Sequence, residues 1–154
     1  MRYFILTILI SLCPWGRGVV AQDSQTSEQA VKAIITNLFD GMRAGDSAKV
    51  AACFHADLRM ATTVNREGEP MVFMGSRDRF VKAVGTPHET VWDERISDLQ
   101  IQVDDNLASA WMKYSFYLGD TFSHCGVNTM TLVREKDGWK ILYLADSRRN
   151  EKCE

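Results

Sequence analysis

From Val91 to Ser147 the chain reads as strand after strand, and the gaps between the strands are too short to hold a helix. The segments run from Val91 to Val103, Leu107 to Leu118, Phe122 to Glu135 and Trp139 to Ser147, separated by Asp104-Asp105-Asn106, Gly119-Asp120 and Asp137-Gly138. Gly119-Asp120 and Asp137-Gly138 are tight hairpin signals. A tight turn returns the chain antiparallel, because a parallel crossover needs a dozen or more residues. The second half is therefore expected to be an antiparallel meander, and no strand-helix-strand alternation points to a parallel sheet.

The first half has a different texture. Val31, Ile34, Ile35, Leu38 and Met42 recur at helical spacing and define a first helix from Thr26 to Ala44. Thr26 with Gln29 resembles a capping box, and Gly45 is placed to end the helix in a left-handed conformation. Asp46 or Ser47 then caps a short second helix through Cys53. A strand from Leu58 to Val64, a turn over Asn65 to Pro70 and a strand from Met71 to Met74 form a hairpin. Ser76 opens a third helix through Phe80, Val81 and Val84, which Gly85, Thr86 and Pro87 terminate. Helices first and strands afterwards make an α+β domain, and 154 residues suit one core rather than two.

The N-terminus stands apart from this domain. Arg2 is followed by an apolar run from Tyr3 to Cys13, and Val19-Val20-Ala21 precedes a polar start at Gln22. This reads as a signal peptide over residues 1–21, with an exported mature domain over 22–154 in a periplasm or outside the cell. The apolar run is about half the roughly 20 residues of a spanning helix, so no stable membrane anchor is expected. Of the cysteines that remain, Cys53, Cys125 and Cys153, at most two can pair within the chain. Two buried thiols and one tail thiol is the plainer expectation, since free cysteine is commonly buried.

Several function classes lose support at this stage. The net charge is -2 and the 18 Lys and Arg residues are scattered, which gives no electrostatic footprint for nucleic acid. His55, His88 and His124 lack metal-ligand spacing and no CxxC accompanies them, so no metal is expected. Neither a phosphate-binding Gly-rich loop nor a GxSxG elbow occurs, and no cofactor is called for.

The order of elements, with Phe54-His55-Ala56-Asp57 after the second helix, Met74-Gly75-Ser76 before the third, Phe122-Ser123-His124-Cys125-Gly126 in the penultimate strand and Asp137-Gly138-Trp139-Lys140-Ile141 with Asp146-Ser147-Arg148-Arg149 at the end, resembles the nuclear transport factor 2-like (SnoaL-like) superfamily. The exported, lumazine-binding-like branch is the nearest within it. The resemblance covers residues 26 to 149. It implies a cone-shaped fold in which about three N-terminal helices pack on a curved antiparallel sheet, an apolar pocket between sheet and helix, and a homodimer formed through the sheet's outer face. Such domains include isomerases, dehydratases and hydrolases beside members that only bind or assemble, so the fold leaves activity open.

Register narrows the candidate site. With Gly119-Asp120 as the turn, Tyr117 pairs with Phe122 and Ser115 with His124. One face then carries Trp111, Lys113, Ser115, Tyr117, His124, Asn128 and Met130, and pairing Lys136 with Trp139 adds Trp139, Ile141 and Tyr143. His124 is the candidate general acid or base, against a plainer role as a hydrogen-bonded structural group. Trp111, Ser115, Tyr117, Asn128 and Tyr143 are the candidate ligand contacts. A Cys125 and His124 nucleophilic pair is excluded, because consecutive strand residues point to opposite faces. His55 is expected to pack or cap, and Asp146 with Arg148 to form an ion pair at the sheet's end. The expected function is binding of a small apolar molecule, with acid-base catalysis as one form of it and a non-catalytic dimerisation or partner-binding module as the alternative.

Overall fold

The computed structural model describes residues 18–151 and 153; the segment read as a signal peptide lies mostly outside them. Three helices come first, α1 (Gly18–Ala44), α2 (Ser47–Cys53) and, after a hairpin, α3 (Arg77–Gly85). The strands are β1 (Phe54–Arg66), β2 (Glu69–Met74), β3 (Trp92–Asp104), β4 (Leu107–Leu118), β5 (Thr121–Glu135) and β6 (Gly138–Arg149). α1 begins eight residues before Thr26, so Thr26 lies within the helix and does not cap it. The other helix starts follow their capping chemistry. Asp46 accepts a hydrogen bond from the Lys49 backbone N–H at 2.9 Å, and Ser76 caps α3 by accepting from Arg79 N. Gly45 takes a φ of 66° after α1, the left-handed turn that glycine adopts freely.

All six strands form one sheet in the order β2-β1-β6-β5-β4-β3. β3 to β6 are the expected meander. The exception is β1, which pairs with β6 in parallel, with Ala61 opposite Ala145 and Thr62 opposite Asp146. That parallel pairing corrects the expectation of a wholly antiparallel sheet; α3 and four strands intervene in sequence, so no local signal marks it. The sheet curves without closing, leaving β2 and β3 as edges.

Helices cover one face of the sheet. α1 packs across β3 and touches β6, and α2 packs on β6 and β1. The core between them holds Val31, Ile35, Val50, Leu132, Trp139 and Ile141, all buried. Trp139 and Ile141 thus lie on the helix-covered face as expected. Alternate residues of β4, namely Ala108, Ala110, Met112 and Tyr114, point to the same face and are buried too.

Three irregularities among β3 to β6 decide which of their residues share a face. β4 and β5 begin in the register expected from the Gly119 turn, with Tyr117 opposite Phe122, but Phe116 then faces His124 because Ser123 is an extra residue. A second shift lies between β5 and β6, where Leu132 pairs with Ile141 and Thr131 with Tyr143, leaving Leu142 extra. A third falls in β3 at Asp98 and Leu99, and Asp98 has a φ of 52°. Each bulge exchanges the faces beyond it. The last hairpin also differs: Glu135 pairs with Gly138, so Lys136 and Asp137 form the turn.

Cys125 points away from the helices and forms a disulfide with Cys153, with a Cα–Cα distance of 5.7 Å. This overturns the expectation of unpaired thiols. The bridge fastens the C-terminal tail onto the outer face across 28 residues of sequence. Cys53 remains a free, buried thiol, and burial pushes its pKa up to about 11.

Candidate functional site

Between α1, α3 and the sheet lies a two-lobed inner cavity. One lobe, of about 380 Å³, is lined on its apolar side by Leu38, Phe39 and Met42 of α1, Phe80 of α3 and Leu144 of β6. Its polar groups are Thr62, Arg79, Glu94, Tyr114, Asn128, Asp146 and Arg148. The other lobe, of about 370 Å³, is lined by Trp92, Phe116, Leu118, Ser123 and His124. Met42, Phe80, Glu94 and Arg148 border both.

Pairing across the sheet brings the polar groups to one level. Asn128 is opposite Met112 on β4 and Asp146 on β6, and Thr62 is opposite Asp146 on β1. Asp146 is richly partnered. Thr62 Oγ1 donates to Oδ1 at 2.6 Å, Tyr114 O–H donates to Oδ2 at 3.2 Å, and Arg148 Nη2 stands 3.7 Å away. The expected Asp146 and Arg148 contact is thus present at long range, and most of the direct support for the carboxylate comes from hydroxyls. Tyr114 fits here because its partner across β5 is Gly126: a Cβ at 126 would collide with the Ser147 carbonyl and the Tyr114 ring. Burial, reinforced by Asp146 and Glu94, raises the Tyr114 pKa and keeps the phenol protonated.

Glu94 is the contrasting carboxylate. Its one donor among the described residues is Asn128 Nδ2, at 2.7 Å. Burial outweighs that bond and the nearby Arg148, and with Asp146 as a neighbouring negative charge the Glu94 pKa is pushed up to about 7. Of the two carboxylates in one cavity, Asp146 accepts from two hydroxyls and stands beside Arg148, and Glu94 is poised to gain or lose a proton near neutrality.

His124 is 9% exposed and faces the inner cavity. Its ring stacks on Phe116 at 4.9 Å and meets Tyr114 edge-on at 5.7 Å, and Ser123 Oγ lies 3.0 Å from Nδ1. Its neighbours are therefore Tyr114, Phe116 and Ser123, where Ser115 and Tyr117 were expected. Burial, with Arg148 as a nearby positive charge, lowers its pKa to about 4. The imidazole is neutral at ordinary pH, which suits a hydrogen-bonding wall residue better than an acid at neutrality.

The structure divides the other candidates between two faces. Asn128 shares the inner cavity with His124. Trp111, Ser115 and Tyr117 lie on the outer face, opposite Thr129, Cys125 and Phe122, because the Ser123 bulge exchanges the β4 faces. Tyr143 lies there too, turned outward by the extra Leu142. Placing these four on the His124 face is thereby corrected. Trp111 and Tyr143 line a separate open groove of about 840 Å³ on the outer face, with Arg59, Gln100, Gln102 and Met74. Tyr117 stacks under the Arg95 guanidinium at 4.1 Å.

Glu94 and Tyr114 were missed by pattern reading, yet both leave a trace. Trp92, Glu94 and Ile96 occupy alternate positions, so a carboxylate falls in an apolar series. Ala108, Ala110, Met112, Tyr114 and Phe116 are a more apolar alternation than the set chosen from turn geometry.

The remaining histidines are local. His55 Nε2 is 3.0 Å from Glu135, and its Nδ1 accepts the Asp57 backbone N–H at 3.0 Å. His88 stacks on Trp92 at 4.6 Å. Among the described residues no group of three or more His, Cys, Asp or Glu could hold a metal, and no helix is long and apolar enough to cross a membrane.

An α+β domain of three helices on a curved six-stranded sheet, with its cavity between them, defines the nuclear transport factor 2-like class. Residues 26–144 match the family described as "Putative lumazine-binding", and the chain belongs to that family. Among solved structures, a Mycobacterium tuberculosis protein of unknown function aligns with a TM-score of 0.69 and 18% identity, covering 86% of this chain and 76% of that one. A nuclear transport factor 2-like protein with a cystatin-like fold from Novosphingobium aromaticivorans gives 0.67 and 12%, covering 87% and 89%. A "putative dehydratase" of the nuclear transport factor 2-like family from Streptomyces avermitilis gives 0.61 and 18%, covering 81% and 97%. At these identities the likeness is one of fold. No curated protein matches the sequence.

Proposed function

We propose that the inner cavity takes up a small, largely apolar molecule and that Glu94 moves a proton to or from it. The observation that carries this reading is a carboxyl group on the cavity wall that accepts a hydrogen bond from Asn128 and has its pKa pushed up to about 7. Such a group can accept a proton from a carbon or hydroxyl and return it to another position, the elementary step of isomerisation or dehydration. Dehydration is also the chemistry named for the Streptomyces avermitilis structure. Tyr114 and Asn128 act as hydrogen-bonding groups, and His124 with Phe116 supplies a flat wall against which a ring or chain can lie. Mass spectrometry of molecules retained by the native protein tests this reading. A compound retained by wild type and by Trp111→Ala but lost on filling the cavity with Asn128→Phe supports it; retention unaffected by Asn128→Phe counts against it.

A second reading, a homodimer that joins through the outer face, is favoured by one observation. Val72, Met74 and Tyr143 are 63%, 65% and 52% exposed on or beside the outer groove, a concentration of apolar surface typical of contact sites. Sedimentation equilibrium of wild type and Tyr143→Glu distinguishes a dimer from a monomer. The Cys125–Cys153 disulfide supports export, since such bonds persist in oxidising compartments; N-terminal sequencing of secreted protein is expected to start at or near Gln22.

A further inference from the structure

We propose that the molecule held in the inner cavity is an organic acid bound as its anion, its ionised head held by Arg79 and Arg148 and its apolar body packed toward α1. This rests on the reading that the cavity takes up a small molecule, and it names the chemical class of that molecule.

The inference comes from accounting for charge in one lobe. Two arginines line it, Arg79 from α3, an exposed residue, and Arg148 from β6. Among the described residues the Arg79 guanidinium makes no ion pair or hydrogen bond; its backbone N–H donates to Ser76 Oγ. Arg148 has one ion-pair contact, with Asp146 Oδ2 at 3.7 Å, also interacts with the Tyr114 hydroxyl, and its side chain is 46% exposed. Asp146 already accepts from Thr62 and Tyr114 at shorter range, so it does not saturate the Arg148 fork. The remaining carboxyl group, Glu94, is bonded to Asn128. Arginine's planar fork fits a carboxylate with two parallel hydrogen bonds. The other walls, Leu38, Phe39, Met42, Phe80 and Leu144, offer nothing polar to a ligand. One cationic end and one greasy end select an amphipathic anion.

The state of Glu94 then tunes affinity. The titratable groups facing the cavity are Arg79 on α3, Glu94 on β3, Tyr114 on β4, His124 on β5, and Asp146 and Arg148 on β6; α1 and β1 contribute none to its lining. With Tyr114 raised and His124 lowered to about 4, Glu94 is the group whose pKa, about 7, lies between pH 6 and 8. Its ionisation adds a negative charge beside the head group, so affinity for an anion falls as pH rises through that range.

The test compares 2-naphthoate with its neutral isostere 2-naphthamide, and octanoate with octanamide, by calorimetry on the full chain. The methyl resonances of Met42, on the inner cavity, and Met74, on the outer groove, locate each probe. The expected result is that each carboxylate binds about tenfold or more tighter than its amide at pH 6 and shifts Met42. Arg79→Gln and Arg148→Gln, singly and together, should shrink that preference while leaving amide affinity in place, and Glu94→Gln should flatten its decline toward pH 8. Equal affinity for acid and amide, both shifting Met42, overturns the anion preference and leaves the cavity reading standing. A preference that survives in the double variant also overturns it. Failure of all four probes to shift Met42, or shifts confined to Met74, overturns both.

Discussion

The inner faces of β5 and β6 serve two different purposes at their two ends. Toward the last hairpin, Leu132, Trp139 and Ile141 are sealed into the core with Val31, Ile35 and Val50. Toward the other end, Asn128, Asp146 and Arg148 on the same strands line a cavity. The sealed end gains stability from excluded water and close packing. The cavity end gives up packing and, through Asn128, meets the Glu94 carboxyl group of β3, whose pKa is raised. Stability and chemistry are thus segregated along a pair of strands, and substitutions at the two ends should separate in their effects.

The largest effect is expected at the sealed end. Trp139→Ala should cost about 3 to 5 kcal/mol, read from denaturant unfolding, because it empties a large buried site. An unchanged unfolding midpoint would break the comparison at once. Next is the bond that fastens the tail to the outer face: Cys153→Ser should cost about 2 to 4 kcal/mol by freeing a 28-residue separation in the unfolded chain.

At the cavity end the effects should appear in pH dependence. Glu94 has a folded pKa of about 7 against 4.5 for the free group, so the native state holds a proton that the unfolded state has lost between those values. Its contribution to stability therefore falls as pH rises from 4.5 to 7, and Glu94→Gln should remove that decline and unfold later than wild type at pH 8. His124 behaves in the opposite sense. With a folded pKa of about 4 against 6.5, the unfolded state binds the extra proton between these values, so stability is lost as pH falls from 6.5 to 4. His124→Gln should flatten this acid limb while the fold is retained, as urea titrations at several pH values would show. The smallest effect belongs to the outer face, where Tyr143→Ala is expected to change monomer stability by about 0.5 kcal/mol or less, measured at dilution.

Much of the architecture was legible because it is written in local chemistry. The caps at Asp46 and Ser76, the turn at Gly119-Asp120 and the alternation of the last four strands each act over a few residues, and the elements fall within a few residues of where those signals lie. The start of α1 was misplaced because Thr26 resembles a cap from sequence alone. The inward direction of His124 and Asn128 followed from strand alternation. Trp111, Ser115, Tyr117 and Tyr143 were assigned to the wrong face because one inserted residue, Ser123 or Leu142, reverses everything beyond it.

Sequence by itself determined the class of domain, the order of its helices and strands, and the residues able to fill a core, since those depend on propensity, period and turn chemistry. Only the tertiary structure decided that β1 lies parallel to β6, that Cys125 meets Cys153, and that Glu94, Asn128, Tyr114 and Asp146 meet in one cavity. Cys125 and Cys153 are 28 positions apart, and Thr62 and Asp146 are 84. Such contacts rest on register and curvature summed over the whole sheet, and Glu94's raised pKa rests on the burial that results, which no stretch of neighbouring residues encodes.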